Sequence, residues 1–257
     1  MVSLLKAEWR KLRRNTAFLI LLVLSIVVPI FTNTVLFVGL KLLEGGAGED
    51  IPFVVNVLYA YSSSFSPLNN LGLFMFIFIV IIGANDFSQF TIRNKVIAGH
   101  KRSHIFFTAL IMNLSIMFMM TLITTTIGYL FASFFQGFDG DTFIDVFRFG
   151  VIGYSSLAVL YTLITVLLFQ YKNVAGPLLV TLGSFFLILI INGLIESLFM
   201  LNGQEFKLLY YAFPIVRLNI GFGTSTTEWY WALLANLGHL AWLIPLGNYI
   251  ANKTDFK

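Results

Sequence analysis

The sequence predicts an all-α membrane protein with six transmembrane helices, and three observations carry that reading. Hydrophobic residues make up 58% of the 257-residue chain and charged residues only 11%, where a soluble domain carries about 25% charge. The apolar runs are continuous, as membrane helices require, instead of alternating as barrel strands do. Lys and Arg gather between the runs in a way that separates two sides. Residues 1–257 are therefore read as a single transmembrane domain. Cysteine is absent, which excludes a disulfide framework or a thiolate metal site. The first apolar run is too long for a signal peptide and no small-residue cleavage site follows it.

Residues 1–15 are read as an amphipathic helix. Val2, Leu5, Trp9 and Leu12 share one face, while Lys6, Arg10, Lys11, Arg13 and Arg14 cover much of the rest. The pattern suits a helix lying in the lipid interface, and a positive flank that orients the first span is compatible with it. The first span is 16–40, somewhat longer than a hydrocarbon core of about 30 Å demands, so it should tilt or protrude. Pro29 removes the N–H that the Ser25 carbonyl would accept, which predicts a kink. Residues 41–66, with G-G-A-G-E-D, read as an external loop with little fixed structure. Ser66 and Pro67 read as N-cap and first residue of the second span, 67–84.

Between the second and third apolar runs lies N-D-F-S-Q-F-T-I-R-N-K-V-I-A-G-H-K-R-S-H, which holds much of the basic charge. A short cytoplasmic helix over 86–99 is predicted, with Asp86 and Gln89 as a capping box and Gly99 as its stop. Phe87, Phe90 and Ile97 could dock in a pocket of another protein while Arg93, Lys95 and Lys101 meet acidic groups. A basic loop that only fixes topology fits the same residues equally well. His100 and His104 have i, i+4 spacing for a metal, but Lys101 and Arg102 between them repel a cation, so no metal is expected.

The third span, 105–135, is rich in methionine. Met112, Met117, Met119 and Met120 read as core filler, with an adaptable surface for apolar cargo as the sharper alternative. Residues 136–145 form an acidic external turn containing Asp139, Asp141 and Asp145. It lacks D-x-[DN]-x-[DN]-G, so a solvated turn is preferred to a calcium loop. The fourth span is 146–170, and Tyr171, Lys172 and Asn173 make an inner turn. Gly176 and Pro177 open the fifth, 176–200. Residues 201–228 are apolar but too short and interrupted to span twice, so re-entrant or interfacial helices are expected. The sixth span is 229–250, with Trp229, Tyr230 and Trp231 as an outer aromatic belt and a bend at Pro245.

Sidedness follows from the basic residues. Lys6, Arg10, Lys11, Arg13, Arg14, Arg93, Lys95, Lys101, Arg102, Lys172, Lys253 and Lys257 fall on one side; Lys41, Arg148, Lys207 and Arg217 fall on the other. The richer side is cytoplasmic by the positive-inside rule, which puts both termini there.

The chain contains no G-x-x-x-x-G-K-[ST], G-x-S-x-G or H-E-x-x-H, so no catalytic residue is assigned and no enzyme is expected. No nucleic-acid partner is expected either. Glu196 is the carboxylate clearly inside a span. An intramembrane acid suggests coupling or gating, with Arg217 as a candidate partner, although Glu196 could simply reach the outer interface. His239 reads as a hydrogen-bonded packing residue. The spans lack the relay of acids and bases that a proton-driven carrier uses, which places the power source outside this chain.

The stretch F-T-I-R-N-K-V-I-A-G-H-K-R-S-H-I, residues 90–105, resembles the region after the second span in type-2 ABC exporter permeases. That group includes bacitracin and lantibiotic resistance permeases and sodium-extruding relatives. Its pattern is an acid, an aromatic, two or three residues, then G-T-x-R-N-K-L-I-x-G-x-S-R-x-x-I. Asp86 and Phe87 stand for the acid and the aromatic, and Thr91, Arg93, Asn94, Lys95, Gly99 and Ile105 align. Phe90 replaces the usual glycine, and Lys101-Arg102-Ser103 only approximates the small-basic pair. The likeness extends over nearly the whole chain, but only this loop is motif-like.

The resemblance implies two permease subunits, identical or different, and two cytoplasmic ATPase subunits that bind ATP and magnesium. No cofactor would sit on this chain. Residues 86–99 would be the coupling helix, including Asp86, Phe87, Phe90, Thr91, Arg93, Asn94, Lys95 and Gly99. Residues 1–15 would be the connecting helix, with Lys6, Trp9, Arg10 and Arg13. The location implied is the bacterial cell membrane. Within the group the chain looks most like the staphylococcal-type permeases that export phenol-soluble modulins, amphipathic cytolytic peptides whose export also protects the producer. A lantibiotic or bacitracin resistance permease, or a sodium-extruding one, is the alternative cargo reading. A membrane scaffold or sensor without transport is the alternative of another class.

Overall fold

A computed structural model describes residues 1–44, 57–66, 72–137, 143–200, 212–219 and 229–254. Among these residues the protein is helical and has no strand. The helices are α1 (Val2–Arg13), α2 (Thr16–Glu44), α3 (Val57–Ser63), α4 (Gly72–Ser88) and α5 (Thr91–Ile97), followed by α6 (Arg102–Gln136), α7 (Phe143–Tyr171), α8 (Ala175–Met200), α9 (Pro214–Asn219) and α10 (Trp229–Lys253). Four helices, α2, α6, α7 and α8, are long and apolar enough to cross a membrane. A fifth is added if α4 and α5, bent by 51° at their junction, are one broken span. The sixth expected span, α10, has the length but interrupts its apolar run with Asn236, His239 and Asn248.

Helix α7 is the organising element. It packs against α6, α8, α9 and α10 and buries residues on all sides from Gly150 to Phe169, as an apolar helix at the centre of a bundle should. Phe76 of α4 stacks on Tyr161 with centroids 5.1 Å apart. Met117 and Met120 are buried in the same core, with Met112 and Met119 packed on it, so the methionines are core filler. A Cβ on Gly153 would overlap the Phe65 ring, which makes this glycine the condition for α3 to reach α7.

Helix α2 continues through Pro29. The Ser25 carbonyl, deprived of its helical donor, lies 3.4 Å from the Thr124 hydroxyl of α6. A neighbouring span thus serves the acceptor that proline leaves open, as buried carbonyls demand. His239 Nδ1 lies 2.6 Å from the Ala235 carbonyl, a local packing role as expected.

Several boundaries differ from expectation. The supposed external loop over 41–66 contains α3, and Ser62 to Ser66 are buried. Serine hydroxyls bond the helix's own carbonyls there, Ser64 Oγ donating to Ala60 O at 2.8 Å, so their polarity does not force the segment into water. Ser66 closes the turn after α3 through Ser63 O at 3.1 Å; Pro67 lies outside the described residues. Asp145 belongs to the first turn of α7 and pairs with Arg148 at 3.3 Å, so it is not part of a solvated turn, while Asp139 and Asp141 lie outside the described residues. The capping box also fails. Asp86 sits in the last turn of α4, and α5 starts only at Thr91 after Phe90. The apolar run carries α4 on through Phe87, whose ring meets Phe169 edge-on at 5.3 Å.

Candidate functional site

The expected inner-loop residues form an elbow at one end of the bundle. Helix α4 ends at Ser88, the chain turns through Gln89 and Phe90, and the seven residues of α5 follow. Phe90 has φ 55°, in the left-handed region that favours glycine. Gly99, with φ 86°, ends the elbow as predicted.

The elbow is braced against α1 by four charged side chains. Lys95 lies 2.6 Å from Glu8 and 3.5 Å from Asp86, and Lys11 pairs with Asp86. Lys95, Glu8 and Asp86 are 15 to 19% exposed, so these pairs are less screened than open surface pairs. Behind the quartet a crevice runs between α1, α4, α6 and α7, and the hydrogen-bonded pair Asn113 and Thr165 lines its inner part at 2.9 Å.

This geometry divides the expected docking residues into two sets. Phe90, Arg93, Asn94, Ile97 and Gly99 are exposed, and Thr91 is half-buried. Phe87 turns inward onto Phe169, and Ile92 is buried. Phe87 and Lys95 are thus engaged within the chain, unlike the exposed set. The first is held by the core and the second by two carboxylates of the same chain.

Helix α1 also differs from its expected face. Leu4 and Leu12 are buried, whereas Val2 is exposed. The helix packs on α6 and α2, so its buried stripe runs through Leu4, Glu8 and Leu12. Trp9 is half-buried against the main core, with the Arg13 guanidinium 5.4 Å from its ring centroid. Lys6 and Arg10 are exposed.

Glu8 was missed by sequence reasoning. It is the only acid among residues 1–43, and a single acid in an otherwise basic helix was a usable signal. Arg217, expected as a candidate partner of Glu196, belongs to a polar network toward the opposite end that the sequence did not reveal. Arg217 of α9 is only 4% exposed and so is not a free outer-loop residue. Its guanidinium bonds Asn236 of α10 and lies 3.4 Å from Ser156 Oγ of α7. Asn236 Nδ2 donates to Ser155 and Ser156 at 2.8 and 3.0 Å. Glu196 lies on α8, but its side chain is outside the described residues. Among the described residues no group of three or more His, Asp or Glu side chains gathers around a metal position.

No family model, no curated protein and no solved structure matches the chain.

Proposed function

We propose that the chain is the membrane-spanning permease subunit of an ATP-driven exporter. The observation that carries the reading is the elbow, a short helix with an exposed face of Phe90, Arg93, Asn94 and Ile97, fixed to α1 by buried-side ion pairs. A knob that is outwardly free and inwardly anchored suits the transmission of movement from a partner into the bundle. Arg93 takes the role of docking cation and Lys95 that of a brace. In this reading α2, α4, α6, α7, α8 and α10 are six spans, both termini are cytoplasmic and the membrane is that of a bacterial cell.

The complex holds two permease copies and two ATPase subunits, which carry ATP and magnesium. The cargo is an amphipathic cytolytic peptide of the phenol-soluble modulin type. An aromatic, apolar body with few charges supports an apolar cargo over a sodium ion. The test is purification of the chain with its co-expressed ATPase and an assay of peptide-stimulated ATP hydrolysis. Arg93→Glu with Ile97→Ser should leave insertion intact and remove the stimulation. Unchanged stimulation in that variant, or failure of any ATPase to co-purify with the wild type, overturns the reading.

A further inference from the structure

The charges of α1 are sorted between its two faces. Glu8 points into the bundle side and, with Asp86, engages Lys11 and Lys95. These are the only carboxylates at this end among the described residues, and both are occupied. Lys6, Arg10, Arg13 and Arg14 are exposed and none has a carboxylate partner among the described residues. At 100° per residue, Lys6, Arg10 and Arg13 lie opposite the buried line of Leu4, Glu8 and Leu12.

This basic face also leads directly into the first span. Only Arg14 and Asn15 separate α1 from α2, and Asn15 Oδ1 accepts the Ala17 N–H at 2.9 Å, closing the joint. The exposed apolar stripe of α2 then begins at Leu19 and Ile20 and continues to Val23. Arg13 and Arg14 therefore lie just before the start of the exposed apolar surface of α2, and Lys6 and Arg10 continue the same basic face along α1. Cations beside the end of an apolar span suit the phosphate level of a bilayer, and the Trp9 ring beside Arg13 is a side chain suited to the same level.

We propose that the outward face of α1 binds the headgroups of anionic phospholipids through Lys6, Arg10, Arg13 and Arg14. Leu4 and Leu12 are already covered by protein, so α1 meets the bilayer through its charges and not through its apolar stripe. The bound lipid steadies α1, and with it the elbow that the ion quartet ties to it. This site goes beyond the transport reading and stands whether or not the chain moves peptides.

The experiment uses the purified full chain in detergent micelles with equal phosphatidylglycerol and phosphatidylcholine, and native mass spectrometry counts the retained lipid. The wild type is expected to keep phosphatidylglycerol in roughly tenfold excess, falling to about parity in Lys6→Gln/Arg10→Gln/Arg13→Gln/Arg14→Gln. Arg93→Gln/Lys101→Gln, at the same end but off α1, should keep the excess. Arg10→Lys/Arg13→Lys/Arg14→Lys should keep it too, because charge is retained. If the fourfold variant unfolds early, Lys6→Gln/Arg10→Gln, away from the α2 joint, should show a partial loss of the excess. Millimolar inorganic phosphate should not displace the lipid, since a headgroup site also needs the acyl chains alongside. The proposal is overturned if the folded fourfold variant or the double variant keeps the full excess, if the wild type shows none, or if phosphate alone removes it. It is equally overturned if the fourfold change leaves lipid untouched and instead abolishes ATPase co-purification, which would assign the face to a protein.

Discussion

The two polar clusters of this bundle solve one problem in different ways. At the elbow, four charged side chains alternate in sign, and Lys11 remains 40% exposed. Toward the opposite end, one guanidinium is buried among Asn236 and Ser156, both fully enclosed. Near the edge, ions keep part of their hydration, so pairing costs less than in the interior and gains about 1 kcal/mol or somewhat more per pair, since three of the four side chains are mostly covered. In the interior a lone charge would be very costly, and surrounding dipoles must take over the work of water. The comparison assigns the clusters different mechanical characters. The quartet costs less to open than the Arg217 network, which ties α9 to α7 and α10.

The largest effect should come from breaking the buried network on one side only. Asn236→Leu removes one acceptor of the guanidinium and, with it, the amide that donates to Ser155 and Ser156. A loss of about 1–3 kcal/mol is expected for the buried hydrogen bonds removed, read as an unfolding temperature in detergent a few degrees below wild type. Arg217→Met/Asn236→Leu, which removes charge and dipole together, should recover most of that loss. If Asn236→Leu unfolds with the wild type, α9 is held by packing alone and the contrast between the clusters disappears.

A smaller effect is expected at the quartet. Glu8→Lys brings a third cation beside Lys11 and Lys95 and should cost about 1 kcal/mol, shrinking in 1 M salt as screening tightens. The full inversion Glu8→Lys/Lys11→Glu/Asp86→Lys/Lys95→Glu restores alternating sign across all three contacts and should return both stability and ATPase stimulation. A swap that restores stability but not stimulation would leave the quartet a fold element only. A swap that restores neither would mean that position, not charge, matters in the quartet.

The helical membrane character was legible because continuous apolar runs admit no other backbone solution in lipid. The elbow was legible as a basic interruption between two such runs, with Gly99 as its stop. Its internal division was not, because Phe87 and Phe90 look alike in sequence. Only the passage of α4 through Ser88 places one ring on Phe169 and leaves the other exposed. Lys95 could not be separated from Arg93 for the same reason, since their difference lies in Glu8, far away along the chain. Helix α3 was hidden by its serines, whose hydroxyls bond backward within the helix and leave no polar face. The role of Arg217 was hidden too: the partners of a buried guanidinium are set by three helices meeting, and composition does not record that.

The smallest expected effect has the opposite sign and bears most directly on what the elbow is for. Phe90 holds a left-handed backbone with its ring 55% exposed. A non-glycine residue there costs about 1–2 kcal/mol, and glycine returns about 0.5–1 kcal/mol of that as lost chain entropy. Phe90→Gly should therefore stabilise the protein slightly, by about 0.5 kcal/mol, visible as a small rise in unfolding temperature. If the ring seats in an ATPase pocket, the same variant should lose ATPase retention on co-purification. A stabilised variant with weaker partner binding would mean that strain is tolerated at Phe90 because the exposed ring is used. A stabilised variant with unchanged retention would remove Phe90 from the docking face and leave Arg93 and Ile97 to carry it.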